Sequence, residues 1–531
     1  MGRGGDTVTA AASATRATTA PSGTATGAMA PGRARQLLTA ALMIATATVA
    51  FETQVVTVAL PSITGELQGI ALYPWVFSGY LLMSTITAPI YGKLADIFGR
   101  RPLFMLGFII FSLGTFLCGA ATSMPFLVAA RVVQGLGAGA ILPLVLTVTG
   151  DIYTIRERPR IQGLSASIWG FFSFAGPSAG AFITEAISWR WVFWSNLPLC
   201  LLAVALLAAF LKEGVARRNV SIDYAGAATL TVGVVGILVI SLEGGRSLEW
   251  GGGPMLALLA VSAIALVLFA VAERRAPEPI LPFDAFRIRA VAIGNVGNVL
   301  IGSAQFLLSS FIPLLVQGVR GEGAASTGLL LTAQGSAWSL AAMFGGRFYV
   351  ALGFRRASMV GSAVIASGIV GTTLAASLDA PTWLIAATMA FTGLGLGTCS
   401  TAFLYAPQVS VPWNRRGAVT SSTQFARNMA GAVFVALGGG WLNARLFAAA
   451  TASGVPADEA APLISRLISV SERASIDPTI ASSLGATLGP GLFAILTGLS
   501  ILAVATFVMM AIFALDVVPV EAAPVHVAPA E

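Results

Sequence analysis

Apolar stretches long enough to cross a lipid bilayer recur along almost the whole of this 531-residue chain. A helix crossing ~30 Å of hydrocarbon at ~1.5 Å per residue needs roughly 20 apolar residues. Fourteen such stretches can be read, at about 37–60, 74–92, 102–121, 126–149, 161–183, 191–212, 224–242, 254–272, 290–317, 325–346, 357–378, 382–406, 417–440 and 486–514. A bilayer offers no water to the backbone, so each stretch must close its own hydrogen bonds as a helix. The expected class is an all-α polytopic membrane protein. Composition agrees: at 56% hydrophobic and 10% charged residues, with a mean hydropathy of +0.84, no ordinary water-soluble domain would stay in solution.

Basic residues orient the spans. With the N-terminus inside, the even-numbered connections and the N-terminal tail hold twenty-two of the 30 Lys and Arg residues, which predicts that both termini are cytoplasmic. Spread over many loops, these charges also account for the net +7 without nucleic-acid binding. Residues 1–36 form a tail whose composition is too polar and small to fold, and is not that of a signal peptide; Met29 is an alternative translation start. A second cytoplasmic tail is expected at 516–531. Cys118, Cys200 and Cys399 lie far apart in apolar stretches and suggest neither disulfides nor a metal site. The single histidine, His526, falls in the C-terminal tail, so any transported proton must ride on a carboxylate.

The chain repeats itself weakly. Gly135-Leu136-Gly137 in the fourth span recurs as Gly393-Leu394-Gly395 in the twelfth, and Gly92, Gly99 and Arg101 recur as Gly346, Gly353 and Arg355. The plan is two pseudo-symmetric six-helix bundles, 37–212 and 290–515, flanking an inserted helix pair within 213–289.

Ionisable residues inside a span cost on the order of 2.5–3.5 kcal/mol each on insertion scales and are functional candidates by default. Glu52 lies ~22 Å from the cytoplasmic end of the first span, and Arg131 ~8 Å below the outer end of the fourth, so the two share a level in the membrane. They are the expected proton-coupling pair; a static ion pair is the alternative. Arg427 in the thirteenth span has no assigned role. Gly176 and Gly180 open a smooth face on the fifth span, and Pro177 bends it. Trp75, Tyr80, Gln134, Asn298, Gln305, Phe306 and Gln334, with Glu52, are candidates to line a substrate cavity; interhelical bonding is the competing reading for each. Leu463, Ile464, Leu467 and Ile468 predict an amphipathic helix on the outer surface.

Several of these features occur together in an order that resembles a known family. Glu52 through Pro61, the charged turn Gly92 to Arg101, Leu127 to Gly139 with Arg131, Gly176-Pro177, and Trp189-Arg190-Trp191 with Asn196 and Pro198 are similar to the motifs of the fourteen-helix drug:proton antiporters of the major facilitator superfamily. The resemblance implies export of drugs or toxic compounds against proton entry across a bacterial cytoplasmic membrane. It also implies a gating role for the turn (Gly92, Asp96, Gly99, Arg100, Arg101), coupling by Glu52 and Arg131, and an antiporter motif at Gly176, Pro177 and Gly180. Two departures are visible. The first-span acid is Glu where Asp is usual, and the tenth span lacks the acid that some dication exporters carry, which favours monocationic, neutral or zwitterionic compounds.

The implied partners are a small-molecule substrate, protons and lipid, with no nucleic acid and no cofactor; the carrier is expected to be a monomer, with or without an accessory export protein. Dedicated export of one antibiotic, siderophore or lipid is an alternative, and a non-transporting receptor is another. No phosphate loop, nucleophile–base set or metal-ligand cluster points to an enzyme.

Overall fold

The computed structural model describes residues 32–153, 157–211, 223–244, 248, 251–276, 283–412, 415–468 and 477–514. Both expected tails lie largely outside these residues, as do the side chains of Lys93 and Asp96. The expected charged turn is helical up to Phe98, and the chain bends only at Gly99. Within them the fold is all-helical: α1 (Arg33–Leu67), α2 (Tyr73–Phe98), α3 (Arg100–Gly119), α4 (Met124–Ile152), α5 (Arg158–Ala186), α6 (Arg190–Trp194), α7 (Leu197–Phe210), α8 (Tyr224–Glu243), α9 (Gly253–Arg275), α10 (Arg289–Pro313), α11 (Ala324–Ser377), α12 (Thr382–Val409), α13 (Arg416–Ala452), α14 (Ala457–Ile468) and α15 (Pro478–Phe513). Among the described residues, eleven helices are long and apolar enough to cross a membrane; α5, α8 and the first arm of α11 are not among them.

Chain chemistry places the ends. Proline opens α2, α4, α5, α7, α9 and α15, where its missing N–H has no intrahelical partner to lose. Ser123 caps α4, and Asp223 caps α8 by accepting from Gly226 N at 2.7 Å. Gly99 turns the chain between α2 and α3 at φ 96°, a left-handed conformation that a side chain would strain. Gly353 does the same inside α11 at φ 74°, dividing that helix into two arms. The sequence repeat that pairs Gly99 with Gly353 thus reappears as a repeated backbone kink.

Several helices outrun the predicted spans: α1 ends at Leu67, α13 at Ala452, and α15 begins at Pro478. Hydropathy marks the hydrocarbon-crossing part, whereas the backbone stays helical beyond it into polar surroundings. The predicted sixth span is broken between α6 and α7 at Asn196, and a π turn, Leu314–Val319, ends the ninth.

Among the N-terminal helices, α1 packs on α5, α7 and α4; among the C-terminal ones, α10 packs on α13, α12 and α15. The two groups meet where α2 crosses α13 and where α5 crosses α11. α8 pairs with α9 and rests on α13 and α2, burying Leu230, Val234 and Leu238 against Leu82, Ile86 and Ala436. Hydrogen bonds joining the groups gather on the face opposite the basic helix ends. Ser78 donates to Ala432 O at 2.9 Å, Asn443 to Ala71 O at 3.1 Å, Gln317 to Val58 O at 3.3 Å, and Ala325 N to Glu185 at 2.9 Å. α14 closes this face. Its Ile464, Ser465 and Leu467 are buried and Ser465 Oγ accepts from Ile70 N at 3.1 Å, so the predicted amphipathic helix packs into protein instead of lying free on the surface.

Candidate functional site

Glu52 and Arg131 meet. Glu52 is fully buried midway along α1, Arg131 is 2% exposed on α4, and Arg131 Nη1 lies 2.6 Å from Glu52 Oε1. Both charges leave water together, which is tolerable only because the remaining donors and acceptors are also met. Arg131 Nε donates to the Val76 carbonyl of α2 at 3.1 Å, and Nη1 also donates to Gln134 Oε1 at 2.6 Å. Gln134 Nε2 passes the chain on to Thr115 Oγ1 of α3 at 2.8 Å. On the far side, Asn196 Nδ2 donates to Glu52 Oε2 at 3.3 Å and to Thr48 O at 3.0 Å. The Tyr80 ring lies under the guanidinium at 4.3 Å.

Four helices, α1 to α4, and the break before α7 therefore hold one ion pair. Thr115 and the Val76 carbonyl were not singled out in the sequence, and Asn196 was named only as part of a motif, with no role. Its signal was a polar residue in an apolar span just after the Trp189-Arg190-Trp191 run, but its partner lies 144 residues away. Its Oδ1 is buried without a hydrogen-bond partner.

Beside the pair, a cleft with room for about one water molecule opens between the two helix groups. Thr53, Gln54 and Thr57 of α1, Phe77 and Tyr80 of α2, Arg131, and Gln305 and Phe306 of α10 line it. Glu52 stands behind Arg131 and does not line it. Of the expected cavity residues, Tyr80, Gln305 and Phe306 reach this cleft. Gln134 is consumed by the ion-pair network. Asn298, seven residues from Gln305 on α10, bonds instead to Gly294 O and Phe403 O at 2.8 and 3.4 Å. Trp75 packs with the cluster that α8 buries, and Gln334 is buried on α11 without lining the cleft.

The glycine–proline segment of α5 sits against both groups. A Cβ on Gly176 would stand 2.7 Å from Gln54 Cβ, and one on Gly180 2.7 Å from Val55 O, so these positions let α5 lie close on α1. On its other side Ser178 and Thr332 of α11 share a 3.0 Å hydrogen bond, and Thr332 donates to Phe174 O at 3.1 Å. At the charged turn, Arg100 pairs with Asp151 at the end of α4, a partner the sequence did not reveal, and Arg101 donates to Ala208 O of α7 at 2.7 Å.

A helical fold of this kind, with a buried ion pair beside a cleft at the meeting of two helix groups, defines a multi-pass membrane carrier. The sequence profile of the Major Facilitator Superfamily matches residues 42–435. The chain belongs to that superfamily and is a transporter rather than an enzyme. It is 35% identical over 413 residues to the multidrug transporter protein MdtP of Bacillus subtilis, covering 77% of this chain and 76% of that one. It is 33% identical over 383 residues to multidrug resistance protein 3 of the same organism, covering 71% and 74%. Its fold is similar to the crystal structure of a bacterial homologue of the human lysosomal transporter Spinster in an inward-facing, unoccupied conformation, with a TM-score of 0.61 at 15% identity, covering 92% of this chain and 100% of that one.

Proposed function

We propose that this protein is a proton-coupled antiporter that exports small amphiphilic drugs or toxic compounds from the cytoplasm by alternating access. The observation that carries the reading is the buried Glu52–Arg131 pair at the edge of the central cleft. Protonating Glu52 removes the charge that holds Arg131, and the freed guanidinium faces the cleft. A proton on Glu52 and a cationic group near Arg131 then exclude one another, which is the competition that exchange requires. The names of the two Bacillus relatives support multidrug export.

The architecture in this reading has fourteen spanning helices, the eleven apolar ones together with α5, α8 and the first arm of α11. They form bundles at 37–212 and 290–515 with an inserted pair between. The equivalent kinks at Gly99 and Gly353, and the matched crossings of α2 on α13 and α5 on α11, support it. In this reading the membrane is a bacterial inner membrane, both termini are cytoplasmic and the working unit is a monomer; the basic residues Arg33, Arg100, Arg101, Arg355 and Arg356 support that orientation. The segment from Gly92 to Arg101, the end of α2 and the start of α3 about the Gly99 bend, acts as the cytoplasmic gate in this reading, with Arg100 and Arg101 anchoring it to α4 and α7.

The test is transport in liposomes containing purified protein, following a monocationic dye and internal pH together for the native chain and Glu52→Gln. An imposed proton gradient is expected to drive dye movement, and the substitution to abolish the coupling. A native chain that moves neither dye nor protons across a broad panel overturns multidrug antiport in favour of a dedicated substrate or a non-transporting role.

A further inference from the structure

A second arginine, without a counter-charge, stands behind the wall of the same cleft, bonded to one of its lining residues. Arg427 lies half-buried on α13, where Nε and Nη2 both donate to Gln305 Oε1, at 3.2 and 2.5 Å, and the guanidinium carbon stands 4.9 Å from the centroid of the Trp338 ring. Gln305 and its neighbour Phe306 line the cleft. Among the described residues no carboxylate pairs with Arg427, and its Nη1 has no hydrogen-bond partner. Arg131 across the cleft differs: it is already neutralised by Glu52.

A tie between α10 and α13 does not call for this charge, since a neutral donor would serve Gln305 equally well at far smaller desolvation cost. A guanidinium kept in a membrane carrier with only an amide and an aromatic face for company is set up to meet an anion that arrives with the ligand. Its planar fork suits a carboxylate, with Nη1 the free donor. The adjoining walls, Phe77, Tyr80 and Phe306, are aromatic and suit a flat apolar body. Taking Glu52, Arg131 and Arg427 together, the described ionisable groups around the cleft leave one positive charge uncompensated.

We infer that Arg427, positioned by Gln305 and Trp338, is a carboxylate-recognising subsite of the cleft, and that the substrates it selects are aromatic zwitterions, bearing a carboxylate as well as a cationic group. This rests on the export reading and narrows its substrate class. A zwitterion keeps the cationic group on which exchange against the Glu52 proton depends and adds a carboxylate for Arg427.

The experiment compares a rhodamine dye carrying a free carboxylate with its methyl ester, in proteoliposomes under an imposed proton gradient. The native chain is expected to transport the acid with a KM about tenfold or more below that of the ester, the size of one charge-assisted hydrogen-bonded contact. Arg427→Gln is expected to bring the ratio close to one, and Arg427→Lys, which keeps the charge but loses the fork, to leave it between. The ratio is the readout because a purely structural role would change both dyes alike. A native chain that moves the ester but shows no preference for the acid overturns the inference and leaves the export reading standing; so does a preference that survives Arg427→Gln. If that variant does not fold, the native ratio and Arg427→Lys decide. A native chain that moves neither dye overturns the inference, because a member of the class it names is not carried; failure across the broad panel as well overturns the export reading.

Discussion

Removing one member of a buried ion pair is worse than removing both, because the survivor is left as an unpaired charge. For Glu52 and Arg131 this makes a measurable asymmetry. Arg131→Gln alone is expected to destabilise the protein by about 3–5 kcal/mol, and the double substitution with Glu52→Gln by clearly less. Thermal unfolding of the purified variants in detergent checks this; additive losses would mean that the two side chains do not share a bond. Asn196→Ala, which takes one donor from Glu52 Oε2 and from Thr48 O, is expected to lose about 1–3 kcal/mol in the same assay. At the membrane surface the stakes are lower. The Arg415 guanidinium beside Asp284 holds that carboxyl below its ordinary value of 3.8, so the pair's contribution is present above that pH and is lost as pH falls through the depressed value. With both side chains more than half exposed it is worth under ~1 kcal/mol, and Asp284→Asn should barely change the unfolding temperature at pH 7. Glu52 and Arg131 were legible in the sequence because an ionisable residue in an apolar run is too costly to keep without a role. Thr115 and the role of Asn196 were not, because a hydroxyl or amide in an apolar span so often serves only helix packing, and the chain gives no distance across 144 residues.

At the scale of helices, small residues decide how closely neighbours lie. Gly180→Val would drive a branched side chain into Val55 of α1, and overpacking of this kind costs about 1–3 kcal/mol. Lower thermal stability together with slower transport is expected; an unchanged protein would show that α1 and α5 do not need their close approach. α14 poses a different question. Its apolar spacing was readable, but periodicity tells which face is apolar and not whether lipid or protein covers it. Ile464 and Leu467 are buried in protein, so Leu467→Ala should destabilise by about 2–5 kcal/mol, whereas a helix resting on lipid would yield much less. The apolar helices were legible because twenty apolar residues leave a chain little choice, although only eleven of the fourteen expected spans are long and apolar enough among the described residues. Their ends were not, since α1 and α13 continue through residues whose polarity is compatible with helix and aqueous loop alike.

Across the whole molecule, the hydrogen bonds between the N-terminal and C-terminal helices gather on one face, where Asn443 meets Ala71, Gln317 meets Val58 and α14 covers the seam. If transport proceeds by rocking of the two groups, these bonds must break in every cycle. α5 and α11 provide a place to prevent it, because Ser178 Oγ and Thr332 Oγ1 are 3.0 Å apart across the seam. The native cysteines Cys118, Cys200 and Cys399 are free and buried, so they are best replaced before a pair is introduced. In that background Ser178→Cys with Thr332→Cys should cross-link under mild oxidant, stop dye export, and regain it on reduction, while either single variant stays insensitive to oxidant. A cross-linked protein that still exports at the uncrosslinked rate would mean that this seam does not open during transport, and that access alternates by local movement within each helix group.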